Sequence, residues 1–150
     1  MHLERYEFEV KDDKYTFFSQ GPKGAIKKAV IYHKIQKNKP LYNLSFGDWN
    51  EEINWIDDRV ITNNGDRQKI LGTVATSVLH FMTENSNALI LAMGSTPSRT
   101  RLYQMNIASY SALIFPLFKI EGFSGNNWHP FETGRNYSAF LLTSRDLVSL

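Results

Sequence analysis

The residues best suited to chemistry fall in two short stretches. The first, Gly94-Ser95-Thr96-Pro97-Ser98-Arg99-Thr100-Arg101-Leu102-Tyr103, sets a glycine, several hydroxyls and two arginines directly after the apolar run Ala88–Met93. Thr96 before Pro97 is a helix-start signal, a capping hydroxyl followed by a proline at the first helical position. Unpaired N–H groups and the helix dipole favour an anion there, and Arg99 or Arg101 can add charge-assisted bonds to a phosphate. The structural reading of the same residues pairs an arginine with Asp66 or with Asp57-Asp58 to fix the helix. Ser95 suits a cap better than a nucleophile, because no glycine stands two positions on as in a nucleophile elbow. The second stretch is Asn63-Asn64-Gly65-Asp66-Arg67-Gln68-Lys69. It reads as a turn with Asp66 as N-cap, or as asparagine amides and Lys69 offered to a phosphate that Asp66 would repel.

If both stretches open at one end of a sheet, they make one composite cleft. Asn63, Asn64, Ser95, Thr96, Arg99 and Arg101 would hold phosphate, Asp48 or Asp66 would be the acid–base or orienting carboxylate, and Tyr103 the proton donor. Other chemistries lack their residues. There is no cysteine, which removes disulfides, thiolate metal sites and thiol nucleophiles. The histidines, His2, His33, His80 and His129, form no close pair, so no metal site is expected.

The elements that must position these residues are legible in the periodicity. Arg5–Val10 alternates so that Tyr6, Phe8 and Val10 share a face, and Tyr15–Ser19, Ile26–Ile35, Leu41–Phe46 and Trp55–Thr62 follow as strands. Asp12-Asp13, Gly21–Gly24 and Lys37–Pro40 are the turns between them, and Gly47–Asn54 reads as a polar loop. After Asp66 the period becomes helical: Ile70, Leu71, Val74, Ala75, Val78, Phe81 and Met82 make one apolar stripe. Ala88–Met93 is apolar throughout, as in a central strand covered on both faces. A second helix from Pro97 to about Asn106 would bury Leu102 and Met105, with Tyr103 as a third candidate. Phe115–Ile120 and Tyr137–Thr143 are the last strands, around a loop holding Trp128, His129 and Pro130. The fold class is α+β, a mostly antiparallel twisted sheet with two main helices.

The chain has 150 residues, 42% hydrophobic and 21% charged, which suits one domain with its own core and needs no metal or disulfide. A formal charge of +2 is too mild to imply nucleic acid, although the lysines from Lys23 to Lys39, with Tyr32 and His33, form a basic strand. Met1–Val10 has no apolar leader region, and no run approaches the ~20 residues of a membrane span, so a cytoplasmic protein is expected.

Two resemblances add to this reading. The motifs Gly21-Pro22-Lys23-Gly24, Tyr42-Asn43-Leu44-x-Phe46-Gly47-Asp48, Asn63–Asp66 and Gly94-Ser95-Thr96-x-x-Arg99-Thr100-Arg101-Leu102-Tyr103 look like an uncharacterised bacterial family of about this length. Membership transfers no activity; the suspected role for such proteins is in toxin–antitoxin systems. The order strands, helix, buried strand, helix resembles the core of a GNAT acetyltransferase, which would make Asn63–Lys69 a pyrophosphate loop and Tyr103 an acid. The GNAT loop is glycine-rich and lacks a carboxylate, unlike this one. The leading expectation is the effector half of a bacterial toxin–antitoxin or defence module acting on an intracellular nucleotide or RNA, without a cofactor and with a small cognate antitoxin or another protein as partner. The alternatives are a non-catalytic protein-interaction module, using Trp128 and Phe131, or an acetyl-CoA-dependent N-acetyltransferase.

Overall fold

Alternation and helical period translate into an α+β fold. A computed structural model describes residues 3–57 and 62–145. Among the described residues nine strands form a mixed, largely antiparallel sheet, with three helices of which two are long. The chain packs as two compact units, Met1–His33 with Ser45–Phe81 and Lys34–Leu44 with Met82–Leu150.

In the first unit β1 (Glu9–Lys11), β2 (Lys14–Gly21) and β3 (Gly24–Lys34) run as an antiparallel meander. Alternation along β2 sends Tyr15, Phe17 and Ser19 inward, all at most 2% exposed, and leaves Lys14, Thr16 and Phe18 on the other face. Next comes β4 (Leu41–Asn50), whose later half belongs to this unit and pairs antiparallel with β5 (Trp55–Asp57). The predicted loop at Gly47 is therefore strand as far as Asn50, because Asp48, Trp49 and Asn50 face Asp57, Ile56 and Trp55 across the ladder. Asp58 and the rest of the strand expected to run to Thr62 lie, up to residue 61, outside the described residues.

Helix α1 (Arg67–Glu84) covers the inward face. Tyr32 stacks on Phe81 at 4.2 Å and its hydroxyl shares a 2.8 Å hydrogen bond with Ser77. His80, exposed as expected, still shares a 2.6 Å hydrogen bond between its Nδ1 and Tyr15 OH. Of the predicted stripe, Ala75, Val78, Phe81 and Met82 are buried; burial of Val78 and Phe81 contributes ~1.5–3 kcal/mol each. The segment Arg5–Val10 enters a ladder only at Glu9. Before that the backbone runs along α1 instead, Tyr6 N donating to Thr73 Oγ1 at 2.8 Å.

In the second unit the first half of β4 pairs parallel with β6 (Leu89–Ala92). Helices α2 (Pro97–Ser109) and α3 (Ser111–Ile114) then lead to β7 (Phe118–Ser124), β8 (Asn127–Pro130) and β9 (Ala139–Ser144). Strand order here is β4-β6-β9-β7-β8, which places the apolar β6 internally as its sequence requires; Ile90 is fully buried. Two details differ from the periodicity. Leu102 and Met105 are exposed, because α2 buries Arg99, Thr100 and Ile107. Trp128-His129-Pro130 is strand rather than loop, with Trp128 opposite Phe123.

Candidate functional site

The residues of the expected cleft divide between the two units. Asp48, Asn63, Asn64 and Asp66 belong to the first; Ser95, Thr96, Arg99, Arg101 and Tyr103 belong to the second.

In the first unit, the turn between β2 and β3 is held against the segment that leads into α1. Asn64, 2% exposed, accepts from Lys23 N at 2.8 Å and donates through Nδ2 to Gly24 O at 2.8 Å and Ser19 Oγ at 3.2 Å. Gly21 permits this approach, since a Cβ there would lie 1.9 Å from Asn64 O. Asn63 is exposed and uses its side-chain oxygen on Gly65 N, 3.0 Å away, which closes the local turn.

Asp66 stands just ahead of α1, where its carbonyl accepts from Ile70 N at 2.9 Å. Its carboxylate does not cap the helix. Oδ2 instead accepts from Tyr6 OH at 2.6 Å and from Ser19 Oγ at 2.5 Å, while Oδ1 is buried and takes no hydrogen bond from the described residues. Tyr6 in turn accepts from Gln20 N at 3.0 Å, and Lys69 Nζ lies 4.4 Å from the centre of its ring. Burial and then the hydrogen bond to Asp66 raise the Tyr6 pKa, so the phenol keeps its proton. The result is a chain of polar contacts, Asn64 to Ser19 to Asp66 and Tyr6 to Asp66, ending on one unmatched carboxylate oxygen.

Asp48 has a different setting. Its Oδ1 receives Lys28 Nζ, a lysine 1% exposed on β3, and its Oδ2 receives Thr62 N at 3.1 Å. Lys28 also donates to Thr62 O at 2.9 Å. Both carboxylate oxygens are therefore committed to a buried ion pair that ties β3 and β4 to residue 62. The structure brings Asn64 and Asp66 together on Ser19, and keeps Asp48 on this second network.

In the second unit, Thr96 caps α2 as its sequence predicts, with extended backbone and its hydroxyl accepting from Arg99 N at 3.2 Å. Thr100 Oγ1 accepts from Gly94 N at 3.0 Å and donates to Thr96 O at 3.3 Å. Gly94 is packed so closely that a Cβ would come within 2.4 Å of Arg99 Cβ. Ser95 and Arg101 are exposed, Arg99 is buried and Tyr103 is half-buried on α2.

Sequence reasoning missed Tyr6, Ser19 and Lys28. Tyr6 and Phe8 looked like strand residues, and Ser19 like the end of one. Lys28 carried a usable signal: in β3 it shares the parity of Val30 and Tyr32, the inward one, whereas Lys27 does not.

The chain belongs to a family of unknown function, DUF6934, whose model matches residues 2–145. Neither a curated protein nor a solved structure matches it. Among the described residues no helix is long and apolar enough to cross a membrane.

Proposed function

We propose that this chain is the effector component of a bacterial toxin–antitoxin or defence module, acting inside the cell on RNA or a nucleotide, with Asp66 as its acid–base group. The observation that carries this reading is the unmatched Asp66 Oδ1 beside a carboxylate oxygen that already holds two hydroxyls. A buried acceptor left unpaired costs ~1–3 kcal/mol, more when charged, and such groups gather at functional sites. Tyr6 takes the proton-donor role first assigned to Tyr103, since its hydroxyl touches Asp66 directly. In this reading Asn63 and Lys69, at the start of α1, would meet the phosphate, which the helix dipole also favours. Asp48 is less suited, because Lys28 and Thr62 N occupy its oxygens.

The test is bacterial growth after tightly controlled induction, wild type beside Asp66→Asn and beside Arg99→Ala/Arg101→Ala, with soluble yield and melting temperature measured for each. Arrest by wild type that Asp66→Asn relieves while remaining folded supports the assignment. Normal growth with abundant soluble wild type refutes it. A second reading, docking of a partner protein, draws on Trp128, which is 40% exposed on β8 and rests on Phe123 at 5.1 Å. Loss of partner capture by Trp128→Ala with the fold intact would favour that reading.

A further inference from the structure

The face of β2 and β3 turned away from α1 carries cations and aromatic rings in alternation. Lys14 Nζ lies 4.4 Å from the centre of the Trp49 ring system, and Lys27 Nζ lies 5.8 Å from Trp49 and 6.0 Å from Phe18. Phe18 and Lys27 are directly opposed across the ladder, and Phe18 is 51% exposed. Trp49 is seated on the buried Ala29, Ile31 and Ile56, which fixes its ring. Lys14 and Phe18 stand four residues apart on one strand, about 13 Å at ~3.3 Å per residue. The acidic groups on this face are Glu51, which bonds Lys27 at 3.4 Å and hydrogen-bonds Trp49 from an exposed position, and Glu9, opposite Thr16 across the β1–β2 ladder.

An exposed phenylalanine on a strand offers a flat apolar face on which a base can stack. Rings held on rigid strands offer stacking surfaces to any base, and lysines between them meet the phosphates that join consecutive bases. We propose that this face binds single-stranded nucleic acid, with bases stacked on Phe18 and against Trp49 and phosphates held by Lys14 and Lys27. The proposal deepens the RNA-directed reading above and rests on it for the class of partner, while its residues are separate from Asp66.

Fluorescence anisotropy with the intact chain tests it, using a short labelled oligonucleotide of mixed sequence as RNA and as DNA, single-stranded and annealed. Single strands should bind in preference to the duplex, with log K falling against log salt at a slope of about −1.4, two phosphates at ~0.7 each. Phe18→Ala should weaken binding ~10-fold, and Lys14→Gln/Lys27→Gln should weaken it and flatten the slope. Glu51→Gln should strengthen it. If Phe18→Ala lowers the melting temperature, the double lysine variant carries the test, since it leaves the ring in place. Tighter capture of the RNA strand or equal capture of both strands each supports the surface; the first adds a 2′-hydroxyl contact. Absence of binding at low salt, equal affinity for duplex, or affinity unchanged in the lysine variant overturns it. Binding without growth arrest would count against the effector reading alone, and Asp66-dependent arrest without binding against this surface alone.

Discussion

Replacing Lys28 by methionine should destabilise the first unit severely. The lysine is 1% exposed and its Asp48 partner has a side chain only 12% exposed, so the pair is shielded from water on both sides. Methionine fills similar volume but leaves the Asp48 carboxylate buried with Thr62 N as its remaining donor among the contacts described. Breaking a buried pair in this way costs about 3–5 kcal/mol. At ~2–4 °C per kcal/mol for a chain of this size, the melting temperature should fall by about 6–20 °C. The double change Lys28→Met/Asp48→Leu removes both charges and should return most of that loss, because a buried pair often does no better than apolar residues of its own size. Urea unfolding followed by tryptophan fluorescence measures both variants, the midpoint shift at constant slope reporting stability. A loss below about 1 kcal/mol for Lys28→Met would refute the reasoning, since a surface pair is worth no more than that. Asp48 would then be as available for chemistry as its place in the sequence first suggested.

Other perturbations follow from the same contacts. Gly21→Ala drives a methyl group into the Asn64 carbonyl and should cost about 1–3 kcal/mol by thermal melting. Its neighbour Gly24 meets no such obstacle, although its φ of +86° strains any other residue. The contribution of these two tyrosines to stability should be level below their ordinary value of about 10 and decline above it, because burial raises the pKa of both Tyr6 and Tyr32 and the unfolded chain ionises first. Tyr32→Phe should flatten that decline in unfolding measured against pH; an unchanged slope would remove Tyr32 from the account.

The elements were legible wherever one face is buried and one is wet. Strand β2 alternates cleanly, α1 carries an apolar stripe, and the uninterrupted Leu89–Ala92 belongs inside a sheet. Failures have local causes. Leu102 and Met105 suggested the inner face of α2, but Arg99 and Thr100 are needed beneath Gly94, and that sets the helix rotation. Trp128 looked like loop because Gly125, Asn126 and Asn127 precede it, yet the positive φ of Gly125 and Asn126 makes a hairpin. For the candidate site, the sequence placed Asn64 and Asp66 in one turn but gave no sign that their partners would be Tyr6, Ser19 and the Gly21–Gly24 turn. Those contacts join residues 40 to 60 positions apart, and pairings at that range leave no periodicity to read.

The same long-range closure gives the first unit a built-in reporter. Lys23 is exposed at a hairpin tip, where an amide would ordinarily exchange its hydrogen within the time of local fraying. Its N–H is instead held by Asn64, and β3, β4 and β5 all lie in the chain between the two residues. Exchange at this surface amide therefore waits on the opening of a closed loop of strands. A single peak in an amide spectrum would follow the integrity of the unit, as a clasp reveals whether a necklace is shut.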